Sequence, residues 1–220
     1  MAQLQPNRVI AYIDGFNLYY GLRESAFRRY YWLNLAALAG HLLKPDQRLV
    51  QTKYFTARLS GGRCDDPLPQ ARAWEEKRRR QKLFLEALAT LPDLLIFEGH
   101  FLSKMVLCHR CGGSWRTHEE KMTDVWIATE ILTDAFYDRF DTALLISADS
   151  DLVPPVLAVR RFFPEKRIVA AFPPKRWSEQ LKKAVNGWVA IGEDKLRQSL
   201  FPDQILKPDG FLLQRPTSWR

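Results

Sequence analysis

Short apolar runs that end on a turn or acidic residue alternate along this chain with stretches whose apolar residues recur at helical spacing. The runs predict β-strands over 8–13, 48–59, 93–101, 142–147 and 167–172, with a short edge strand at 188–191. Helical spacing predicts helices over 17–23, 33–43, 70–91, 123–137, 151–163, 178–185 and 193–200. Alternating strands and helices imply an α/β domain, a parallel sheet of about five strands with helices on both faces. Residues 103–118 read as an irregular insertion carrying a Cys pair, within a domain expected to span 1–192. A C-terminal helix follows within 193–220, and the three prolines after residue 200 suggest a tail or partner-docking strap.

Two of the apolar runs stop at or beside an aspartate. VIAYIDGFN delivers Asp14, and LLISADSDL delivers Asp149 and Asp151. In an open parallel sheet, ligands bind beyond the carboxyl ends of the strands, where strand order reverses. If those two strands are neighbours, their carboxylates converge. Asp124, in EEKMTDVWIA, stands at the start of the helix before the second run and can aim at the same place. Asn17 lies one turn after Asp14, within reach of the same centre or a phosphate, and Ser147 can position a water or phosphate oxygen. Like charges about 4 Å apart cost about 4 kcal/mol at an effective dielectric near 20. Protons or a divalent cation relieve that cost. Taken singly, each aspartate also fits a helix cap or turn. Taken together, they suit Mg²⁺ or Mn²⁺, which prefer hard oxygen ligands.

Composition adds partners to this picture. Of 220 residues, 46% are hydrophobic, enough for a real core, and the formal charge is +8. An excess of cations around a local cluster of acids suits a polyanion bound near a metal. The first residues lack a signal-peptide pattern, and no apolar run approaches a membrane span of about 18 residues. Three cysteines argue against a disulfide framework, so a reducing cytoplasm is expected.

The set YIDGFN, EEKMTDVWIA and SADSD resembles the NYN family of PIN-like nucleases over roughly residues 8–191. The family pattern is an apolar strand ending D-G-x-N, a Lys-x-x-Asp helix start, and a strand ending S-G-D-S-D. The resemblance implies a PIN-like fold and a metal-dependent ribonuclease, with Asp14, Asp124, Asp149 and Asp151 holding Mg²⁺ or Mn²⁺. Asn17, Ser147 and Lys121 would support them. The chain departs from the pattern at Ala148, where Gly is common, and at Met122-Thr123, where Gly-Val is common. Ala148 fits only if that backbone avoids positive φ. Asp149-Ser150-Asp151-Leu152-Val153 also resembles the nucleophile loop of haloacid dehalogenase phosphatases. That loop normally follows the first strand of its fold, and no later acidic pair at a strand end is apparent.

Two further features carry chemistry. Cys108-His109-Arg110-Cys111-Gly112-Gly113 is a C-x-x-C knuckle suited to Zn²⁺, with His100 and His118 as proposed further ligands and His109 and Cys64 also available. A reduced thiol pair without metal is the plainer reading. The helix over 70–91 is strongly basic through Arg72, Lys77, Arg78, Arg79, Arg80 and Lys82, with Glu75, Glu76 and Glu86 at pairing distance. That is either a solvated face laced with ion pairs or a track for RNA phosphates. Arg58, Arg63, Lys175, Arg176, Lys182 and Lys183 would extend the track. Trp115 and Trp177 are candidates for base stacking. The expected partner is RNA and not a membrane, and a homodimer is left open. The expected activity is hydrolysis of RNA phosphodiesters. The alternatives are a non-catalytic RNA-binding adaptor and a phosphatase.

Overall fold

A computed structural model describes residues 5–59 and 68–220. Arg63 and Cys64, named above, lie outside the described residues. Alternation within β1 (Asn7–Asp14) sets the architecture. Val9, Ala11 and Ile13 face one hydrophobic layer, and Ile10 and Tyr12 face the other. A strand apolar on both faces must lie inside a sheet covered twice. β1 is the central strand, paired in parallel with β2 (Gln47–Ala57) on one side and β5 (Thr142–Ile146) on the other.

Among the described residues the main sheet has seven strands, ordered β4-β3-β2-β1-β5-β6-β7, rather than the five expected. β3 (Leu94–Leu107), β6 (Arg167–Phe172) and β7 (Gly187–Ala190) pair in parallel, and β4 (Ser114–Lys121) pairs antiparallel with β3. The segment expected to be an irregular insertion is therefore a β-hairpin. The sequence of β4 is polar at nearly every position, so it carries no apolar alternation.

One face of the sheet packs against α1 (Gly15–Glu24), α2 (Leu35–His41), α3 (Leu68–Leu88) and α7 (Glu193–Gln198) through Leu18, Leu22, Leu38, Leu88 and Leu196. The other packs against α4 (Thr123–Phe136), α5 (Val153–Phe162) and α6 (Glu179–Ala184) through Ile127, Ile131, Val156 and Leu181. Helices on both faces are as expected.

The C-terminal residues dock on their own domain. Phe201, Leu213 and Trp219 enter the first core layer, and Trp32 Nε1 donates to Pro202 O at 2.8 Å. A small hairpin, β8 (Gln204–Leu206) with β9 (Leu212–Gln214), forms within this segment. Three apolar side chains of the segment read as a tail or strap, Phe201, Leu213 and Trp219, are thus covered by the same chain, whereas Leu206, Phe211 and Leu212 stay exposed. No helix among the described residues is long and apolar enough to cross a membrane.

Candidate metal centre

The order of the parallel strands reverses between β1 and β5, whose ends lie side by side, with Ile13 opposite Ile146. Asp14 ends β1 and Ser147 follows β5, so two distant stretches of sequence meet at one edge. Asp14 is buried and caps α1, its Oδ1 accepting from Asn17 N at 2.9 Å. Its Oδ2 accepts from Ser147 Oγ at 2.9 Å. Ser147 Oγ in turn accepts from Asp149 N at 3.0 Å, and Asp149 Oδ1 accepts from Asp151 N at 2.9 Å. Asn17 Oδ1 accepts from Ala148 N at 3.1 Å, tying α1 to the loop after β5. The capping role is thus real, but a carboxylate oxygen has two lone pairs, and one cap or turn bond leaves room for a ligand bond.

Asp14, Asp124 and Asp149 each offer a carboxylate oxygen within 4.8 Å of the other two. The structure brings together these three of the four expected acids. Asp151 is exposed and stands outside the group, although its charge still acts on Asp124. Ser147 is fully buried with its hydroxyl committed to Asp14, so it holds the carboxylate rather than facing a substrate.

Glu120, which the sequence reading passed over, belongs to this neighbourhood. Its Oε1 accepts from Thr123 N at 3.1 Å and from Thr123 Oγ1, anchoring the start of α4. Its charge bears on both Asp14 and Asp124. The available signal was an acid one helical turn before Asp124. Lys121 ends β4, and its backbone oxygen lies 2.3 Å from where a Cβ on Gly99 would stand, so only glycine fits there.

The two departures from the family pattern differ in consequence. Ala148 is not among the residues with positive φ, so a side chain there is tolerated. Met122 takes φ +82° as the residue capping α4. A left-handed non-glycine residue costs about 1 kcal/mol, and Met122 is 46% exposed, so little packing is lost on removing it. Met122→Gly is expected to stabilise the protein by about 1 kcal/mol, read as a higher urea midpoint at unchanged slope.

Crowded acids hold their protons. Burial first, then the charges of Asp149 and Glu120, push the Asp14 carboxyl up to about 6 against the opposing hydrogen bonds from Asn17 and Ser147. Burial and then Asp14, Asp149, Glu120 and Asp151 push Asp124 up to about 7. The folded chain therefore binds more protons than the unfolded chain between the usual carboxylate range and neutrality. The stability these groups contribute is full below pH about 4 and is lost as pH rises through about 6 and 7. Metal-free protein should accordingly melt at a lower temperature at pH about 8 than at pH about 5, and Mn²⁺ should raise the melting temperature more at the higher pH, where it need not displace protons. Thermal melts at both pH values, with and without Mn²⁺, check this.

The basic helix α3 proves to be laced with ion pairs: Arg78–Glu75 at 3.1 Å, Arg79–Glu76 at 3.1 Å and Arg80–Glu76 at 3.4 Å. Arg58 follows β2, on the same sheet edge as Asp14, and grips Glu98 through two bonds of 2.6 Å. Arg58, Arg78, Arg79 and Lys82 line a surface cleft of about 300 Å³. Lys175 and Arg176 are taken up by Glu24 of α1. Trp177 is packed on Phe172 and Trp188, with centroids at 4.4 and 4.9 Å, and Lys182 Nζ lies 4.9 Å from the Trp177 ring. The Trp115 side chain lies outside the described ones.

At the hairpin, Cys108 and Cys111 are free thiols at the tip. His100 pairs with Lys121 and His118 with Ser103, whereas the tip closes at Leu107 opposite Ser114. At about 3.3 Å per residue, those positions lie roughly 26 and 16 Å along the ribbon from Cys108. The structure does not bring either histidine to the cysteine pair.

Comparison with known proteins agrees with this layout. A Vibrio parahaemolyticus protein of unknown function, solved as a crystal structure, superposes with a TM-score of 0.54 at 18% identity, covering 91% of this chain and all of that one, and so shares the fold. A Pseudomonas putida protein named 6-hydroxy-3-succinoylpyridine 3-monooxygenase HspA is 27% identical over 191 residues, 71% of this chain. The chain spans 56% of the length of that relative. The NYN domain model matches residues 8–192, most of the chain and the whole of the aspartate-bearing sheet edge, and this protein therefore belongs to the NYN family.

Proposed function

We propose that this chain is a divalent-metal-dependent ribonuclease that hydrolyses RNA phosphodiester bonds at Asp14, Asp124 and Asp149. The observation that carries the reading is the meeting of these three carboxylates within 4.8 Å at the strand-order switch point. Their donor set fits Mg²⁺ or Mn²⁺: hard oxygens, few in number, leaving positions for water and substrate. The raised Asp14 and Asp124 carboxyls mark a site whose charge is incompletely balanced by the chain itself. When bound, such an ion polarises the phosphoryl group and lowers the pKa of a water.

The remaining work falls to the protein. Ser147 and the Asn17 amide fix the Asp14 carboxylate in one rotamer. Asn17 uses its oxygen on Ala148, leaving its NH₂ group as a donor suited to a phosphate oxygen. Asp151, exposed beside the triad, is the carboxylate suited to accept a proton from an attacking water. Arg58, Arg78, Arg79 and Lys82 offer the RNA backbone a cationic cleft. Their ion pairs are solvent-exposed and so worth at most about 1 kcal/mol each, weak enough to exchange for phosphates.

NYN domains act on RNA, which favours this substrate over DNA. The phosphatase reading needs Asp149 and Asp151 to act as a pair, whereas Asp149 groups with Asp14 and Asp124. Labelled RNA incubated with Mn²⁺, with Mg²⁺ and with a chelator tests the proposal. Product is expected with metal and none with chelator. Salt-sensitive binding without metal-stimulated product would replace the enzyme with an RNA-binding adaptor.

A further inference from the structure

The β3–β4 hairpin runs beyond the body of the sheet. β2 pairs with β3 only as far as Gly99, and from His100 to Leu107 the paired strand is β4. A lone two-stranded ribbon is marginal in water, and this one exposes Leu102, Met105 and Leu107. Something must hold its far end together.

The tip has the shape for that. Cys108 N donates to Gly113 O at 2.8 Å, and Gly112 N donates to Cys108 O at 2.9 Å. Gly112, directly after the second cysteine, takes φ +69°, which glycine accepts readily. The nearby amides of Arg110 and Cys111 and the Cys111 thiol pull the Cys108 thiol below its ordinary pKa. Two backbone hydrogen bonds close a turn that starts on one cysteine and carries the second three residues on, the form of a C-x-x-C knuckle. That is half of a tetrahedral zinc site.

The other half is not supplied by the described residues. His100 and His118 are held far down the ribbon by the strand register. No third His, Cys, Asp or Glu ligand atom joins the two sulfurs in a common group among the described residues. His109 lies between the two cysteines in sequence and can add at most one ligand.

We propose that Cys108 and Cys111 bind Zn²⁺ together with the same two cysteines of a second copy of this chain, so that paired hairpin tips clasp a homodimer. A two-fold axis through the ion supplies the second pair by symmetry, which is how the commonest homo-oligomers are built. Four thiols release four protons to solvent and leave a site of net charge −2, beside which each copy places Arg110. Exposed Met105 and Leu107 flank the tip and are the apolar side chains such a contact covers. The clasp stands independently of the ribonuclease reading.

The test measures metal content and mass on the full chain, purified in reducing buffer without chelator. The proposal expects about 0.5 Zn²⁺ per chain, as a shared four-thiolate site requires, and twice the chain mass by light scattering. A zinc chelator should return the monomer, and Zn²⁺ but not Mg²⁺ should restore the dimer. Cys108→Ser and Cys111→Ser should each lower bound zinc at least tenfold and give monomers with unchanged circular dichroism. Their Mn²⁺-induced thermal shift, which reports on the aspartate site, should be unchanged. One zinc per monomer would overturn the proposal, and its loss in Cys64→Ser would assign a site within one chain. Zinc-free protein, a Cys108–Cys111 disulfide in reducing buffer, or a dimer that survives the chelator would overturn it equally.

Discussion

Asp14→Asn is expected to abolish RNA cleavage while leaving the protein more stable. The carboxylate is buried, and its pKa of about 6 says that the folded chain disfavours its charge at neutral pH. A rise of about 2 units corresponds to roughly 3 kcal/mol at pH 7 at most. The Asn oxygen can still accept from the Asn17 amide, but the bond that Ser147 now donates must rearrange, at a cost of about 1 kcal/mol. The net gain is about 1–2 kcal/mol, or roughly 5 °C for a chain of this size. Loss of a preorganised anionic ligand should lower cleavage by at least about 100-fold. Asp149→Asn should behave alike in activity. A mutant that cleaves RNA as fast as its parent, or that is destabilised in the absence of metal, contradicts the assignment.

Lys53→Met is expected to be the most destabilising single change in the second core layer. Lys53 is 1% exposed and lies between the Tyr12 and Phe97 rings, each 5.8 Å from its Nζ. It reaches Glu130 and Asp134 of α4, both at 2.6 Å. Asp134 is fully buried and also accepts from Tyr12 at 2.6 Å and Arg139 at 3.1 Å. Removing the lysine strands acids in a place with little water, which costs about 3–5 kcal/mol and lowers the melting temperature by roughly 10 °C. Lys53→Met/Asp134→Asn should lose less than the single mutant, because the partner left behind is no longer charged. The network also fastens α4 to β1 and β2, and α4 carries Asp124, so weaker Mn²⁺ binding should accompany the loss of stability. A melting temperature within about 2 °C of the parent would show that these groups contribute little.

The parallel core was legible because buried strands leave apolar runs that end abruptly. Val9 to Ile13 could be read without any structure, and so could the strands ending near Asp14 and Asp149. β4 was not legible, since Ser114 to Lys121 is polar at nearly every position and an edge strand needs no apolar alternation. Missing β4 also hid Glu120, whose role depends on where that strand ends. The partial docking of the C-terminal segment was not legible for a related reason. Phe201, Leu213 and Trp219 are isolated among prolines and charges, and single apolar residues show no period even when each is buried.

At the site, the sequence leads to the expectation that Asp14, Asp124, Asp149 and Asp151 all converge, and spacing does not reveal that Asp151 stands apart from the other three. The hydrogen bond from Asp151 N to Asp149 settles that by making a turn after β5. From sequence, Ser147 at its strand end suits positioning a water or a phosphate oxygen. Its burial depends on packing against β1, which composition does not reveal. Lys53 was invisible for the opposite reason: a lysine in a strand is normally exposed, and its two partners lie far away in sequence on α4.

The central claim is that Asp14, Asp124 and Asp149 hold one cation between them. Crystals soaked in Mn²⁺ and recorded at a wavelength where manganese scatters anomalously test it most directly. The account predicts an anomalous peak bonded to an oxygen of each of the three carboxylates, and no such peak in Asp14→Asn crystals soaked alike. Manganese absent from this sheet edge, or bound there with none of the three as ligands, would contradict it.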